Sequence, residues 1–336
     1  MTLPSPYDSW FPGAAFDGSY GHTLETLRAI EPVPAFDGFA DRWMRWRDEA
    51  RSVATAPVVL STSVQGGRNV SIIEHAGIGG VRLRSWYAEP VNGPARLGVV
   101  HGHGYGGRDA VEFDRIPDDA AAIFPLARGL QTLNVGIGAP DTAAEHVITG
   151  IDDPERYVIG LSARDLWLAA DVLQERAGSV PLYYFGESFG GGVGALALPW
   201  DDRFFGATLG VPSFGQYDER LRVPCLGSGE AVRRYVADHP EAREVLRWFD
   251  ASTALGFTRT PVRIEAALWD QYVPPAGQFG VANAARTPEL AVLPAGHAEY
   301  PGMDAVIAGM VADGRAHLER SFAAAHTPVG EGASHH

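Results

Sequence analysis

The chain has 336 residues, 46% of them hydrophobic and 20% charged, with a single cysteine and a formal net charge of −14. That balance is typical of a soluble globular protein with chain enough for a large core, and one cysteine excludes internal disulfides and cysteine-based zinc clusters. The acidic surface argues against nucleic acid and anionic lipid as partners. No stretch approaches the ~18 apolar residues of a membrane span, and no basic-then-apolar leader is visible, so a cytoplasmic location is expected.

Residues 1–22 are rich in Pro, Gly and aromatics and read as an irregular arm. "AFDGFADRWMRWRDEARSV" (35–53) then spaces Phe36, Phe39, Trp43 and Trp46 at helical intervals. This predicts an amphipathic helix that lays an aromatic stripe on the core. Residues 1–53 are therefore expected to form an arm and helix packed on a main domain of residues 54–325. "HTPVGEGASHH" (326–336) reads as a disordered tail.

"NVSIIEHAG" and "VRLRSWYAEP" alternate in polarity and predict an antiparallel pair. From residue 97 the pattern becomes short apolar runs separated by helical stretches. The predicted strands are "LGVVHGH", "QTLNVGIG", "PLYYFGES", "GATLGVP", "VRIEAALWD" and "LAVLPAGH", with helices over 163–178 and 241–256 among the segments between them. Alternation of this kind predicts an α/β class fold, a mostly parallel central sheet flanked by helices, with an N-terminal helical extension.

In open α/β sheets the chemistry stands at the carboxyl ends of the strands. "VVHGHGYGG" (99–107) places His101 and His103 two apart, as a pair of metal ligands could be, with Asp109 or His297 as a third. Neither an H-E-x-x-H pattern nor cysteine ligands accompany them, so no metal and no other cofactor is expected. "YYFGESFGGG" (183–192) carries more information. Gly186-Glu187-Ser188-Phe189-Gly190 is a G-x-S-x-G between an apolar strand and a small-residue helix, a turn that holds the serine hydroxyl clear of the sheet. The alternative is a glycine-rich helix cap in which Ser188 only caps.

A serine hydroxyl needs a base, and the base needs an orienter. The expected chain order is Ser, then Asp or Glu, then His. "VRIEAALWDQYVPP" delivers Asp270 and "ELAVLPAGHAEYPG" delivers His297, each directly after an apolar run. Glu187 is too close to the serine to reach the histidine, and Glu299 and Asp304 lie past it. A developing oxyanion needs at least two donors: the backbone N–H of Phe189 and, from the "HGHGYGG" loop, that of Tyr105. His101 and His103, on one strand face, read as hydrogen-bonded supports of this loop, and His103, Gly104 and Glu187 as substrate-binding or loop-support residues.

Together these segments resemble the acetyl xylan esterase/cephalosporin C deacetylase family (carbohydrate esterase family seven) of α/β hydrolases. The resemblance rests on the serine motif, His103-Gly104-Tyr105, "DDPERYV" (152–158), "WFDASTAL" (248–255), "WDQYVPPAGQFGVANA" (269–284) and Gly296-His297. It spans most of residues 24–310. It implies an α/β-hydrolase fold, Ser188, Asp270 and His297 as catalytic residues, and Tyr105 and Phe189 as oxyanion donors. It also implies hydrolysis of short acyl esters, chiefly acetates, as the small-molecule substrates, without a metal. Family members often form ring-like hexamers, which implies a homo-oligomer as an option.

Three departures mark a divergent member. "LNVGIGAP" (133–140) stands where the family's Arg-Gly-Gln motif follows the fourth strand. Phe189 replaces the usual Gln and predicts a less polar acyl or alcohol group, and Glu187 replaces a small residue. The same chemistry also serves a peptidase, thioesterase, lactonase or acyltransferase, and a catalytically silent scaffold is the alternative of another class.

Overall fold

The computed structural model describes residues 5–327. Its centre is a sheet of β1 (Val58–Gln65), β2 (Arg68–Ala76), β3 (Arg82–Pro90), β4 (Leu97–His101), β5 (Ala120–Pro125), β6 (Leu182–Glu187), β7 (Phe204–Gly210), β8 (Val262–Ala267) and β9 (Glu289–Leu293). The spatial order is β1-β2-β3-β5-β4-β6-β7-β8-β9. Strands β1, β2, β3 and β5 pair antiparallel, and every pair from β5 through β4 to β9 is parallel. Strands β4, β7 and β8 are buried along their whole length, as expected of parallel strands covered on both faces.

Alternate residues of these strands enter two cores. Val100, Ile123, Tyr184 and Leu209 face the helices Phe39–Arg51, Val158–Ala177 and Phe189–Ala197. Val99, Phe124, Tyr183 and Phe205 pack with Leu318 of the helix Met303–His326 on the other face. The aromatic stripe lies where its spacing placed it. Phe39, Trp43 and Trp46 are fully buried, and the Trp43 ring packs on Trp167 and Phe249 at centroid distances of 6.3 and 5.8 Å. Phe36 precedes the helix and meets Trp248 edge-on at 4.4 Å.

Four sequence expectations need correction. "QTLNVGIG" is not a strand: Gln131–Asn134 is one helical turn, followed by bends. The strand at this place is β5, which opens on three alanines. Alanine has weak strand propensity, and here a tight fit between β3 and β4 overrides it. An Arg-Gly pair, Arg128-Gly129, does follow that strand, with Gln131 two residues on, so the arginine is not lost. An edge strand, β1, was missed because all eight of its residues are exposed and it shows no buried face. With β1 counted, the "HGHGYGG" loop follows the fourth strand of the sheet.

The predicted helix over 241–256 breaks into Ala242–Leu246, a 3-10 turn Arg247–Phe249 and Ala251–Leu255, where the Asp250 carboxylate caps Ser252 and Thr253. The last long helix runs through His326, and the rest of the predicted tail, 328–336, lies outside the described residues. Among the described residues no helix is long and apolar enough to cross a membrane.

The strand order reverses at β4. The chain steps to β5 on one side and returns to β6 on the other, opening a crevice beyond their carboxyl ends. The loops after β4 and β6 meet there.

Candidate active site

Ser188 directly follows β6 in a backbone conformation of φ 52° and ψ −114°, strained for a residue with a Cβ. Its surroundings enforce the turn. The Ser188 N–H donates to Gly210 O of β7 at 2.8 Å, and its carbonyl accepts from Gly192 and Ser213, both at 3.0 Å. Gly190 is required by close approach, since a Cβ there would lie 2.8 Å from the His103 carbonyl oxygen. The Gly190 N–H instead donates to that carbonyl at 2.9 Å, which locks the loop after β4 to the turn after β6.

The three residues separated by up to 109 positions come together. Ser188 Oγ lies 2.8 Å from His297 Nε2, and His297 Nδ1 lies 2.7 Å from Asp270 Oδ2. The carboxylate can only accept, so Nδ1 carries the proton and Nε2 is the acceptor for the serine hydroxyl. Asp270 is fully buried, and four donors converge on it. Oδ1 accepts from the Tyr272 and Val273 N–H groups at 2.8 and 3.0 Å, and Oδ2 from Gln278 Nε2 at 3.0 Å and from His297. Partial burial pulls the His297 pKa down. The Asp270 charge and hydrogen bond, with a contribution from Glu187, outweigh this and leave it above the ordinary 6.5.

Gln278 was not anticipated. It sits eight residues after Asp270 in the helix Pro275–Ala284, with its Oε1 accepting from Ala267 N–H and its Nε2 donating to Asp270 and to Val273 O. One of only two amide side chains, with Asn283, in a mostly apolar helix, it gave the sequence little to single it out. The N-terminal arm supports the same loop. Gly18 O accepts from Asp270 N–H at 2.9 Å, Phe16 O from Gln271 Nε2 at 2.6 Å, and Phe11 stacks on Trp269 at 4.0 Å. Tyr7 Oη donates to Pro294 O, three residues before His297.

The loop after β4 passes directly over the serine: a Cβ on Gly104 would lie 3.5 Å from Ser188 Cβ. Among the described residues neither the Tyr105 N–H nor the Phe189 N–H donates to another backbone carbonyl; the latter opens the helix Phe189–Ala197, where the first N–H groups lack intrahelical partners. His103 holds the loop with both ring nitrogens. Its Nδ1–H donates to Gly104 O at 2.7 Å and its Nε2 accepts from Ala127 N–H at 3.0 Å. Burial pushes its pKa down to about 4, so it is a neutral strut.

His101 is not a loop support. Its ring lies among the core side chains of Phe124 and Phe185, and its buried Nδ1 has no partner among the described residues. Among the described residues no group of three or more His, Cys, Asp or Glu side chains is placed to hold a metal ion. The Phe189 side chain also departs from expectation. It is 3% exposed, turned inward between Tyr105, His146 and Phe214, and borders a separate cavity of about 40 Å³ rather than the cleft at Ser188.

A second unanticipated relay runs behind Tyr105. Its hydroxyl donates to His146 Nδ1 at 3.1 Å, and His146 Nε2–H donates to Arg128 O at 3.0 Å. Burial holds His146 neutral, with its pKa pushed down to about 4. Arg128 in turn forms a two-pronged buried pair with Asp165, 2.7 Å at its shortest, and donates to Ile78 O. Arg128→Met leaves the Asp165 carboxylate buried and unpaired. It is expected to lower folding stability by ~3–5 kcal/mol, read from denaturant unfolding.

Ser188, His297 and Tyr105 border a cleft of about 440 Å³, closed on the far side by Leu226, Tyr272 and Val273. A second cleft of about 460 Å³ lies beyond His297, against the helix Met303–His326. Glu187 is exposed and borders both.

No protein-family profile and no curated protein matches the sequence. Solved structures do match the fold. An acetyl xylan esterase from Paenibacillus sp. R4 superposes with a TM-score of 0.75 at 18% identity, over 87% of this chain and 99% of that one. Acetyl xylan esterase 1 from Thermoanaerobacterium sp. JW/SL YS485 gives 0.74 at 20% identity, over 89% and 99%. A cold-adapted esterase from an Arctic intertidal metagenomic library gives 0.52 at 17% identity, over 79% and 99%. At these identities the likeness is one of architecture. The mostly parallel sheet with its flanking helices is the α/β-hydrolase fold of those esterases, carried over nearly their whole length.

Proposed function

We propose that this protein is a serine esterase that hydrolyses short-chain acyl esters, chiefly acetates. The observation that carries the reading is the unbroken hydrogen-bonded line from Ser188 Oγ through His297 to the buried Asp270, set on a strained strand-to-helix turn. In this reading Ser188 Oγ attacks the ester carbonyl while His297 Nε2 takes its proton. Asp270 holds the imidazole in the tautomer that can accept and stabilises the imidazolium. The carbonyl oxygen becomes an oxyanion facing the N–H groups of Tyr105 and Phe189. The tetrahedral species collapses, His297 gives its proton to the departing alcohol, and the acyl group stays on Ser188. Water, deprotonated by the same histidine, then releases the acid.

The steps call on no cofactor. The architecture shared with two acetyl xylan esterases supports acetate as the acyl group. The inward turn of Phe189 removes the reason to expect it to select less polar substrates.

The test is the pH dependence of kcat/KM on a chromogenic acetate. The neutral form of His297 is the competent one and its pKa is raised, so activity rises with pH through a midpoint above 6.5 and then levels off. Because Glu187 contributes to the raised value, Glu187→Gln moves the midpoint down. A profile that stays flat between about pH 5 and 9 removes histidine as the base.

A further inference from the structure

Glu187 ends β6 directly before the serine, yet it takes part in no ion pair or side-chain hydrogen bond among the described residues. Its neighbours explain why. Arg108, a buried cation on the loop after β4, acts on Glu187 through its charge, but its donors go to the His101 and Gly102 carbonyls and none reaches the carboxylate. Arg115, the one arginine or lysine bordering the second cleft, is paired with Glu265 at 3.3 Å and lies over the Phe185 ring at 4.2 Å. A carboxylate without a bonded counter-charge beside a nucleophile opposes the oxyanion that forms there, and it is free to meet a cationic group of a substrate.

The second cleft indicates what that substrate carries. Only the C-terminal half of the helix Met303–His326 packs on the sheet, through Gly314, His317, Leu318 and Ser321. Its first turns present Met303, Val306 and Ile307 to the cleft, with Leu293, Ala295 and Met310, whose thioether accepts from Arg263, also in the lining. Glu187 and the exposed Glu299 stand on its rim, and neither is ion-paired. The walls are thus largely apolar, and the charged groups there without an ion pair are the carboxylates of Glu187 and Glu299. Glu187 and His297 border both this cleft and the one at Ser188, so an alcohol portion that takes its proton from His297 Nε2 beside the serine can extend into it.

We propose that Glu187 selects esters whose alcohol portion bears a positively charged amine or ammonium group on an apolar body, seated in the cleft between His297 and the helix Met303–His326. The inference rests on the esterase reading and adds the substrate class. Alkyl groups around the cation pack on the methionine and aliphatic wall, where polarisable thioethers suit an alkylated ammonium. The carboxylate supplies attraction that a neutral alcohol cannot use and that an anionic one would meet as repulsion.

The experiment compares acetylcholine with its neutral carbon isostere, neohexyl acetate, and runs para-nitrophenyl acetate beside them. At low ionic strength the wild-type kcat/KM is expected to favour the cationic ester by about five- to tenfold, chiefly through KM. That preference narrows as salt is raised, because the attraction is partly screened. Glu187→Gln brings the ratio to about one. Should that variant fold poorly, choline and neohexyl alcohol as competitive inhibitors of the wild type give the same comparison, choline being the stronger at low salt. A wild-type ratio at or below one, or a ratio unchanged by Glu187→Gln, overturns the proposal while hydrolysis of the aryl acetate keeps the esterase reading. If none of the three acetates is hydrolysed, both readings fall.

Discussion

Ser188→Ala is expected to lower kcat/KM for a chromogenic acetate by ~10⁴-fold or more, with the fold and melting temperature close to those of the wild type. The methyl group fits where the hydroxymethyl stood, and the turn is pinned by backbone bonds to Gly210, Gly192 and Ser213 that the substitution leaves in place. What goes is the attacking oxygen 2.8 Å from His297 Nε2. A residual rate from the paired N–H groups and from binding is expected to survive, because they act on the carbonyl without the serine. The activity of both proteins is expected to be indifferent to a chelator. Equal rates for wild type and variant would remove Ser188 from the reaction, and activity lost in chelator and restored by zinc would move attention to a metal.

Asp270→Asn is expected to cost about 10⁴ in kcat while leaving KM within a few-fold. Four donors point at the carboxylate, and an amide can accept with one atom only. If the amide oxygen stays with the Tyr272 and Val273 N–H groups, its NH₂ faces Gln278 Nε2 and His297 Nδ1. The imidazole then moves its proton to Nε2, and the nitrogen beside Ser188 can no longer accept. The crowded donors also lower stability, by ~1–3 kcal/mol for a buried polar group left unpaired. Kinetics and a denaturant melt separate the two effects, since catalysis falls far more than stability. A kcat within tenfold of wild type would show that His297 keeps its tautomer without the carboxylate.

Much of this site is legible in the chain because its parts are local. G-x-S-x-G after "YYF" specifies a sharp turn from residues within a few positions of Ser188. Asp270 and His297 each close an apolar run, so the strand that buries the run also delivers the polar residue to its end. The near-continuous apolar character of β4, β6 and β7 marks a sheet covered on both faces. Where the local signal is weak the reading slips. β5 opens on alanines, so the more β-branched "QTLNVGIG" took its place, and with that shift Arg128 went unnoticed as the arginine following the strand.

Other features follow from contacts between residues far apart in sequence. Gln278 orients Asp270 because the helix Pro275–Ala284 folds back over the strand end. His146 can reach Tyr105 only because the Arg128–Asp165 pair ties the loop after β5 to the helix Val158–Ala177. The arm binds the acid loop through Phe16 and Gly18, whose carbonyls have no pattern a sequence could display. Phe189 turns inward because Tyr105, His146 and Phe214 leave room for its ring there.

The sequence by itself determined the class of sheet, the turn that exposes Ser188, and the chain order of serine, acid and histidine, because each depends on period, propensity and sharp turns within a short window. Only the tertiary structure decided which partners orient those groups, which way Phe189 faces, and that Glu187 stands without an ion pair between two clefts. These depend on which distant surfaces meet and on whether a charge finds its counter-charge when they do, and neither is written in any one stretch of the chain.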